Sequence, residues 1–98
     1  MEVIKTKNEQ TMTVALTGRL DTTTAPQLEA ELGDSLNGVT DLIFDFEKLE
    51  YISSAGLRVM LATQKVMNKQ GTMLVKNVCE DIREIFDVTG FSDIMNIE

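Results

Sequence analysis

The chain contains no histidine. That absence removes Ser-His and Cys-His nucleophile pairs and every histidine-based metal site. Cysteine is almost as scarce: Cys79 stands alone, so it can form no internal disulfide and cannot hold a metal by itself. A chain without disulfides fits a reducing cytoplasm. No apolar run reaches the ~18 residues that suggest a membrane span. The first residues, MEVIKTKNEQ, carry no apolar signal core. Positive charge is in deficit, with 9 Lys and Arg against 16 Asp and Glu, a net charge of −7. Such a chain repels phosphate backbones, which argues against nucleic acid, and its acidity reads either as plain solubility or as complementarity to a basic protein partner. There is no glycine-rich phosphate loop and no paired-carboxylate motif. An enzyme would have to rest on Asp21 or Asp45 with a hydroxyl. The expectation is therefore a cytoplasmic non-enzyme with no cofactor, metal or membrane attachment.

What the chain does have is enough apolar content for one core. Of its 98 residues, 43% are hydrophobic, and the charged residues are spread rather than blocked. No repeat, low-complexity tract or linker divides it, so residues 1–98 read as one domain. Val3, then Met12, Val14 and Leu16 beyond a turn, alternate with polar residues and predict a hairpin. Leu28, Leu32 and Leu36 recur every four residues behind Thr24, a candidate N-cap, and Pro26 in the first turn, which predicts a helix. LIFDF at 42–46 is dense enough for a buried central strand. From about Ser54 to Lys69 the pattern is helical again. Leu57, Met60, Leu61, Gln64 and Met67 share one face, and Arg58, Lys65 and Lys69 share another. The methionines Met60 and Met67 fit the core face, while Val59 and Val66 lie to its side, as flank packing or part of an apolar docking patch. TMLVK at 72–76 predicts a strand. EDIREIFDVTG predicts a short helix with Ile82, Ile85, Phe86 and Thr89 on one side and Gly90 as its stop, and FSDIMNIE a closing strand or helical turn. The order β-β-α-β-α-β-α implies an α/β layer fold, and the initial hairpin followed by crossovers implies a mixed sheet.

The stretch YISSAGL, residues 51–57, carries the most chemistry. Ser53 and Ser54 stand where a strand gives way to a helix. A helix N-terminus has unpaired N–H groups and a partial positive charge, so it accepts a serine oxygen as a cap and equally accommodates a phosphate. Ala55 and Gly56 have little or no side chain, which leaves the hydroxyls open and allows close approach by another backbone. No Glu or Gln lies three residues after either serine, so no capping box explains the pair. On the residues alone, one serine serves as the cap, and a switch role for the other stays open. Arg58, one turn in, could meet a phosphate or an acidic partner group, or lie on a solvated face. Asp45 could face the same region from a strand end, or be a capped carboxylate.

Three blocks, GRLDTTTAPQLEAEL, LIFDFEKLEYISSAGLRVML and GTMLVKNVCEDIREIFDVTGF, resemble the STAS domain in order and spacing over nearly the whole chain. More narrowly they resemble bacterial anti-sigma factor antagonists. The resemblance implies a STAS-like mixed sheet with helices packed on it, and a phosphorylatable serine at the start of the second helix. That serine lies in a pattern close to Asp-Ser-(Ser/Thr)-Gly-Leu. Placing Gly56 and Leu57 on its Gly-Leu puts Ser54 on the phosphorylated serine, with Ser53 as the second choice. The sequence departs from the pattern at two places: the preceding acid falls on Ser53, and the following hydroxyl residue on Ala55. Asp21 falls on an acid of the first block, near the serine loop; on the residues alone it reads equally as a turn acid ahead of the first helix. The implied partner surface comprises Asp21, Ser53, Ser54, Gly56 and Arg58. The implied partners are an anti-sigma factor that doubles as a serine kinase, and a serine phosphatase. The alternative is a STAS module of a signalling scaffold or transport system that is not phosphorylated.

Overall fold

The computed structural model describes every residue, Met1–Glu98. Strand β1 (Glu2–Asn8) turns through Glu9 and Gln10 into β2 (Thr11–Leu20). Helix α1 (Ala25–Leu32) follows, then a 3-10 turn (Asp34–Leu36), β3 (Asp41–Ile52), α2 (Ser54–Gln70), β4 (Thr72–Lys76) and α3 (Glu80–Thr89). The chain closes with both elements expected as alternatives, a 3-10 turn (Phe91–Asp93) and a two-residue strand, β5 (Asn96–Ile97). The strands lie side by side in chain order; β1 and β2 are antiparallel and every later neighbour is parallel. Right-handed crossovers marching one way put all three helices on one face of this mixed sheet.

Burial follows that layering. Met12, Val14, Leu16, Leu42, Phe44, Phe46, Met73 and Val75 turn toward the helices and join one core with Leu28, Met60, Met67, Ile82 and Phe86. Their alternates Thr13, Ala15, Ile43, Asp45, Leu74 and Lys76 stay half-exposed on the open face. Phe46 stands edge-on to Phe44 at 6.1 Å between centroids and stacks on Phe86 at 6.4 Å, which ties α3 to β3. Five of the six methionines are buried, so they fill the core and form no docking surface.

Three local expectations change. The second apolar stripe is one helix only as far as Leu32; Gly33 ends it, and Leu36 reaches the core from the 3-10 turn. Thr24 occupies the N-cap position of α1, but its side chain makes no capping bond. Thr89 is exposed, and its hydroxyl donates back to the Ile85 carbonyl at 2.7 Å.

The feature that positions the site is the length of β3. It runs to Ile52, whereas its partner β4 stops opposite Asp45 at Lys76. Beyond that point β3 pairs with β2 alone, and past Thr17, where β1 ends, the two continue as a two-stranded ribbon. Two register shifts each give β3 one extra residue: Ala15 faces Asp45 but Thr17 faces Lys48, and Gly18 faces Leu49 but Arg19 faces Tyr51. Each inserted residue inverts the inside-outside alternation. The buried positions therefore run Leu42, Phe44, Phe46 at spacing two and then Leu49 and Ile52 at spacing three.

Candidate functional site

The ribbon ends with Leu20 opposite Ile52. The chain leaves both strands at the same point, and the Ser53 N–H donates to the Leu20 carbonyl at 2.9 Å. Parallel pairing thus brings the Asp21 corner beside the serines, although Asp21 and Ser53 are 32 positions apart in the sequence.

The two serines are no longer equivalent. Ser53 has extended backbone geometry, and its hydroxyl oxygen accepts from the Gly56 N–H at 3.4 Å, which makes it the N-cap of α2. Its carbonyl accepts the first helical bond, from the Leu57 N–H at 2.9 Å. Ser54 is the first helical residue; it is exposed, and its hydroxyl has no partner within the chain. Removing each hydroxyl should have unequal effects. Ser53→Ala is expected to lower unfolding free energy by about 1 kcal/mol, whereas Ser54→Ala should leave it within ~0.5 kcal/mol of the parent. Urea unfolding followed by circular dichroism measures both; equal losses would mean that Ser54 shares the cap.

Gly56 turns inward. It is buried, and a Cβ there would lie 2.7 Å from the Leu20 Cγ, 2.9 Å from the Ile52 Cγ1 and 3.0 Å from the Leu20 carbonyl oxygen. The close approach expected at this glycine is therefore made by the chain's own β2. Gly56 shapes the surface by seating the first turn of α2, not by facing outward.

Asp21 organises the β2–α1 corner. Its Oδ1 accepts from the Thr23 hydroxyl at 2.7 Å and from the Thr23 and Thr24 N–H groups at 3.0 and 3.2 Å. The Thr24 hydroxyl accepts from the Asp21 N–H at 2.8 Å and donates to the Arg19 carbonyl at 2.8 Å. The Thr23 hydroxyl bond is the main reason the Asp21 carboxyl sits below the usual carboxylate range; burial opposes it and the two backbone N–H groups reinforce it. Asp21, rather than the Thr24 side chain, takes the free N–H groups ahead of α1.

Two neighbours escaped sequence reasoning. Arg19 stacks over the Tyr51 ring, with its Cζ 4.3 Å from the centroid, and its Nε lies 3.8 Å from Asp21 Oδ2. Only the register that sets Arg19 opposite Tyr51 brings them together. Arg58 is exposed one turn along α2. With Ala55, Thr22, Pro26 and Glu29 it borders a shallow groove of about 270 Å³ between the starts of α1 and α2. Val59 and Val66 lie farther along the same helix pair; Val59 is buried and Val66 stays exposed.

Asp45 does not join this cluster. It lies eight residues before Ser53 on β3, on the order of 25 Å of extended strand away. Its Oδ1 accepts from the Asn77 amide and the Glu47 N–H, each at 3.0 Å. The Asn77 bond chiefly lowers its pKa, opposed by burial and helped by the Glu47 N–H and the charges of Lys76 and Lys48. Asn77 has φ of 58°, so Asp45 is a carboxylate that holds the left-handed corner after β4.

No group of His, Cys, Asp and Glu is arranged to hold a metal ion, and no helix is long and apolar enough to cross a membrane. Among solved structures, an anti-sigma factor antagonist from Mycobacterium paratuberculosis superposes with a TM-score of 0.89 at 23% identity, covering 98% of this chain and 83% of that one. The Bacillus cell fate determinant SpoIIAA in its phosphorylated form superposes at 0.78 and 22% identity, covering 99% and 91%. At these identities the likeness is one of fold. In sequence, the anti-sigma-B factor antagonist of Bacillus subtilis is 34% identical over 92 residues, 93% of this chain and 84% of that protein. Residues 2–98 match the STAS domain, and with the five-stranded mixed sheet under three helices this establishes that the chain belongs to the STAS domain family.

Proposed function

We propose that the chain is an anti-sigma factor antagonist switched by phosphorylation at Ser54. Unphosphorylated, it binds an anti-sigma factor in the cytoplasm and so releases a sigma factor. That anti-sigma factor doubles as a serine kinase and transfers phosphate from ATP to Ser54. The added charge and bulk end the docking, and a serine phosphatase restores it. The chain is a ligand and a substrate and does no catalysis of its own. The name of its Bacillus subtilis relative supports the binding role.

The observation that carries the switch is the division of labour between the serines. Ser53 uses its oxygen to cap α2, while the Ser54 hydroxyl is exposed and unpartnered beside the Asp21 corner. A phosphoacceptor has to be reachable, and its modification must not remove a bond the fold needs; Ser54 meets both conditions, whereas Ser53, half-exposed and committed to the cap, fails the second. A phosphate at Ser54 would carry roughly −1.5 to −2 of charge, close to the free N–H groups that favour anions.

The test is phosphoryl transfer. The purified chain is mixed with ATP and each anti-sigma factor kinase of its own genome, and the product is weighed and mapped by mass spectrometry. The expected result is one phosphate per chain, on Ser54, absent from Ser54→Ala. Labelling that persists in Ser54→Ala would move the site to Ser53. Tight binding to another protein with no labelling by any of the kinases would favour the unphosphorylated module of a scaffold or transport system.

A further inference from the structure

The net charge of −7 is unevenly placed. Residues 80–98 hold six acids and one base, a net −5, while residues 1–79 hold ten acids and eight bases, a net −2. Helix α2 goes further: its 17 residues contain Arg58, Lys65 and Lys69 and not one acid. At 3.6 residues per turn, Ser54, Arg58, Lys65 and Lys69 fall within roughly 60° of the helix circumference. All four are exposed. The only ion pairs in the molecule are Lys5 with Glu31 and Arg19 with Asp21, so no carboxylate of the chain satisfies the α2 cations. Glu29 borders the same groove as Arg58 without pairing to it.

We infer that this stripe, running down α2 from Ser54, is the electrostatic half of the docking surface and takes an acidic face of the partner protein. The inference rests on the proposed switch and names the partner's chemistry. Whole-chain acidity points to a basic partner, but most of the net negative charge lies on α3 and the C-terminal segment, whereas the serine heads the most cationic helix. The stripe also explains why a phosphate would act as an off signal. Two negative charges at the head of a cationic stripe repel an acidic face and stand one turn from Arg58, where they offset its charge. A basic partner would be drawn closer by the same phosphate.

The test measures affinity for whichever kinase phosphorylates the chain, by titration calorimetry without ATP. Lys65→Glu/Lys69→Glu is expected to weaken binding at least roughly tenfold. Lys7→Glu, an exposed charge reversal near the hairpin turn on β1, should leave affinity within about twofold. Raising salt from about 0.05 to 0.5 M should weaken the parent and leave the double variant flat or tightened, because screening removes attraction in one and repulsion in the other. Both lysines are exposed, so circular dichroism should show unchanged folding. If the parent binds and Ser54→Asp does not, yet the double variant binds like the parent at every salt concentration, the stripe is overturned and the switch stands. If the parent binds no kinase, the switch fails and the stripe's role falls with it. Retention of a short DNA duplex through Lys65 and Lys69 in place of the kinase would also overturn the protein-docking assignment.

Discussion

Ser54→Asp is expected to lose roughly a hundredfold in affinity for the proposed anti-sigma factor kinase while melting at or slightly above the temperature of the parent. The two halves of this expectation come from different sides of one residue. Toward the partner, Ser54 is an exposed side chain with nothing in its own fold to hold it. A carboxylate there brings a fixed charge into a contact made for a hydroxyl, and unfavourable charge placement costs several kcal/mol, or about two powers of ten in binding. Toward its own helix, the same charge lies in the first turn of α2, where the partial positive charge of the N-terminus stabilises an anion by about 0.3–1 kcal/mol. Ser53 still caps, because its bond to Gly56 does not involve Ser54. Ser54→Ala, which adds no charge and breaks no bond, should bind like the parent.

Calorimetric titration and a thermal melt of the three proteins decide the matter. Unchanged binding by Ser54→Asp would place the docking surface elsewhere. A large fall in melting temperature would mean that Ser54 is a structural residue after all. Aspartate carries less charge than phosphate, so authentic phosphorylation should weaken binding further than the variant does.

The helices and the core strands were legible because their periodicity is regular. Met12, Val14 and Leu16 alternate and are buried, and the Ser54–Lys69 stripe keeps helical spacing and buries Leu57, Met60, Gln64 and Met67, with Val59 and Thr63 added to that face and Leu61 half-exposed at its margin. The second half of β3 was not legible for a physical reason. EKLEYI has its buried residues, Leu49 and Ile52, three apart, since each register shift inserts a residue and inverts the alternation. Without that extension the ribbon disappears, and with it the reason that Arg19, Asp21, Tyr51 and Ser53 meet. Asp45 was misplaced for the same reason: a strand ending at Phe46 would bring it to the sheet's edge, whereas β3 continues to Ile52. The serines were located by motif spacing, but which of them caps depends on backbone angles at Ser53 that no pattern in the sequence reveals. Gly56 looked like an opening in the surface because a glycine is equally compatible with outward access and inward contact, and only the position of Leu20 decides between them.

Gly56→Ala carries the second large expected effect, a loss of about 2 kcal/mol in stability, or roughly 10 °C in melting temperature for a domain of this size. Taken alone, alanine is the better helix former by about 1 kcal/mol, so any net loss has to come from contact. The new methyl would meet Leu20 Cγ at 2.7 Å, Ile52 Cγ1 at 2.9 Å and the Leu20 carbonyl oxygen at 3.0 Å. Leu20 and Ile52 are 0% and 2% exposed and hold the end of the ribbon, so neither has space to retreat. Relief comes only by lifting the first turn of α2, which displaces Ser53 and Ser54 from the Asp21 corner. Partner binding and phosphorylation should therefore fall in Gly56→Ala even at temperatures where it remains folded. A double-mutant cycle isolates the cause. Leu20→Ala alone should cost about 2–5 kcal/mol, but it removes the atom nearest the added methyl. The combined variant should then be more stable than the sum of the two losses by at least about 1 kcal/mol. Strict additivity in urea unfolding would show that the Leu20 contact is not what requires glycine at position 56, and that the seating of the switch helix rests on something else.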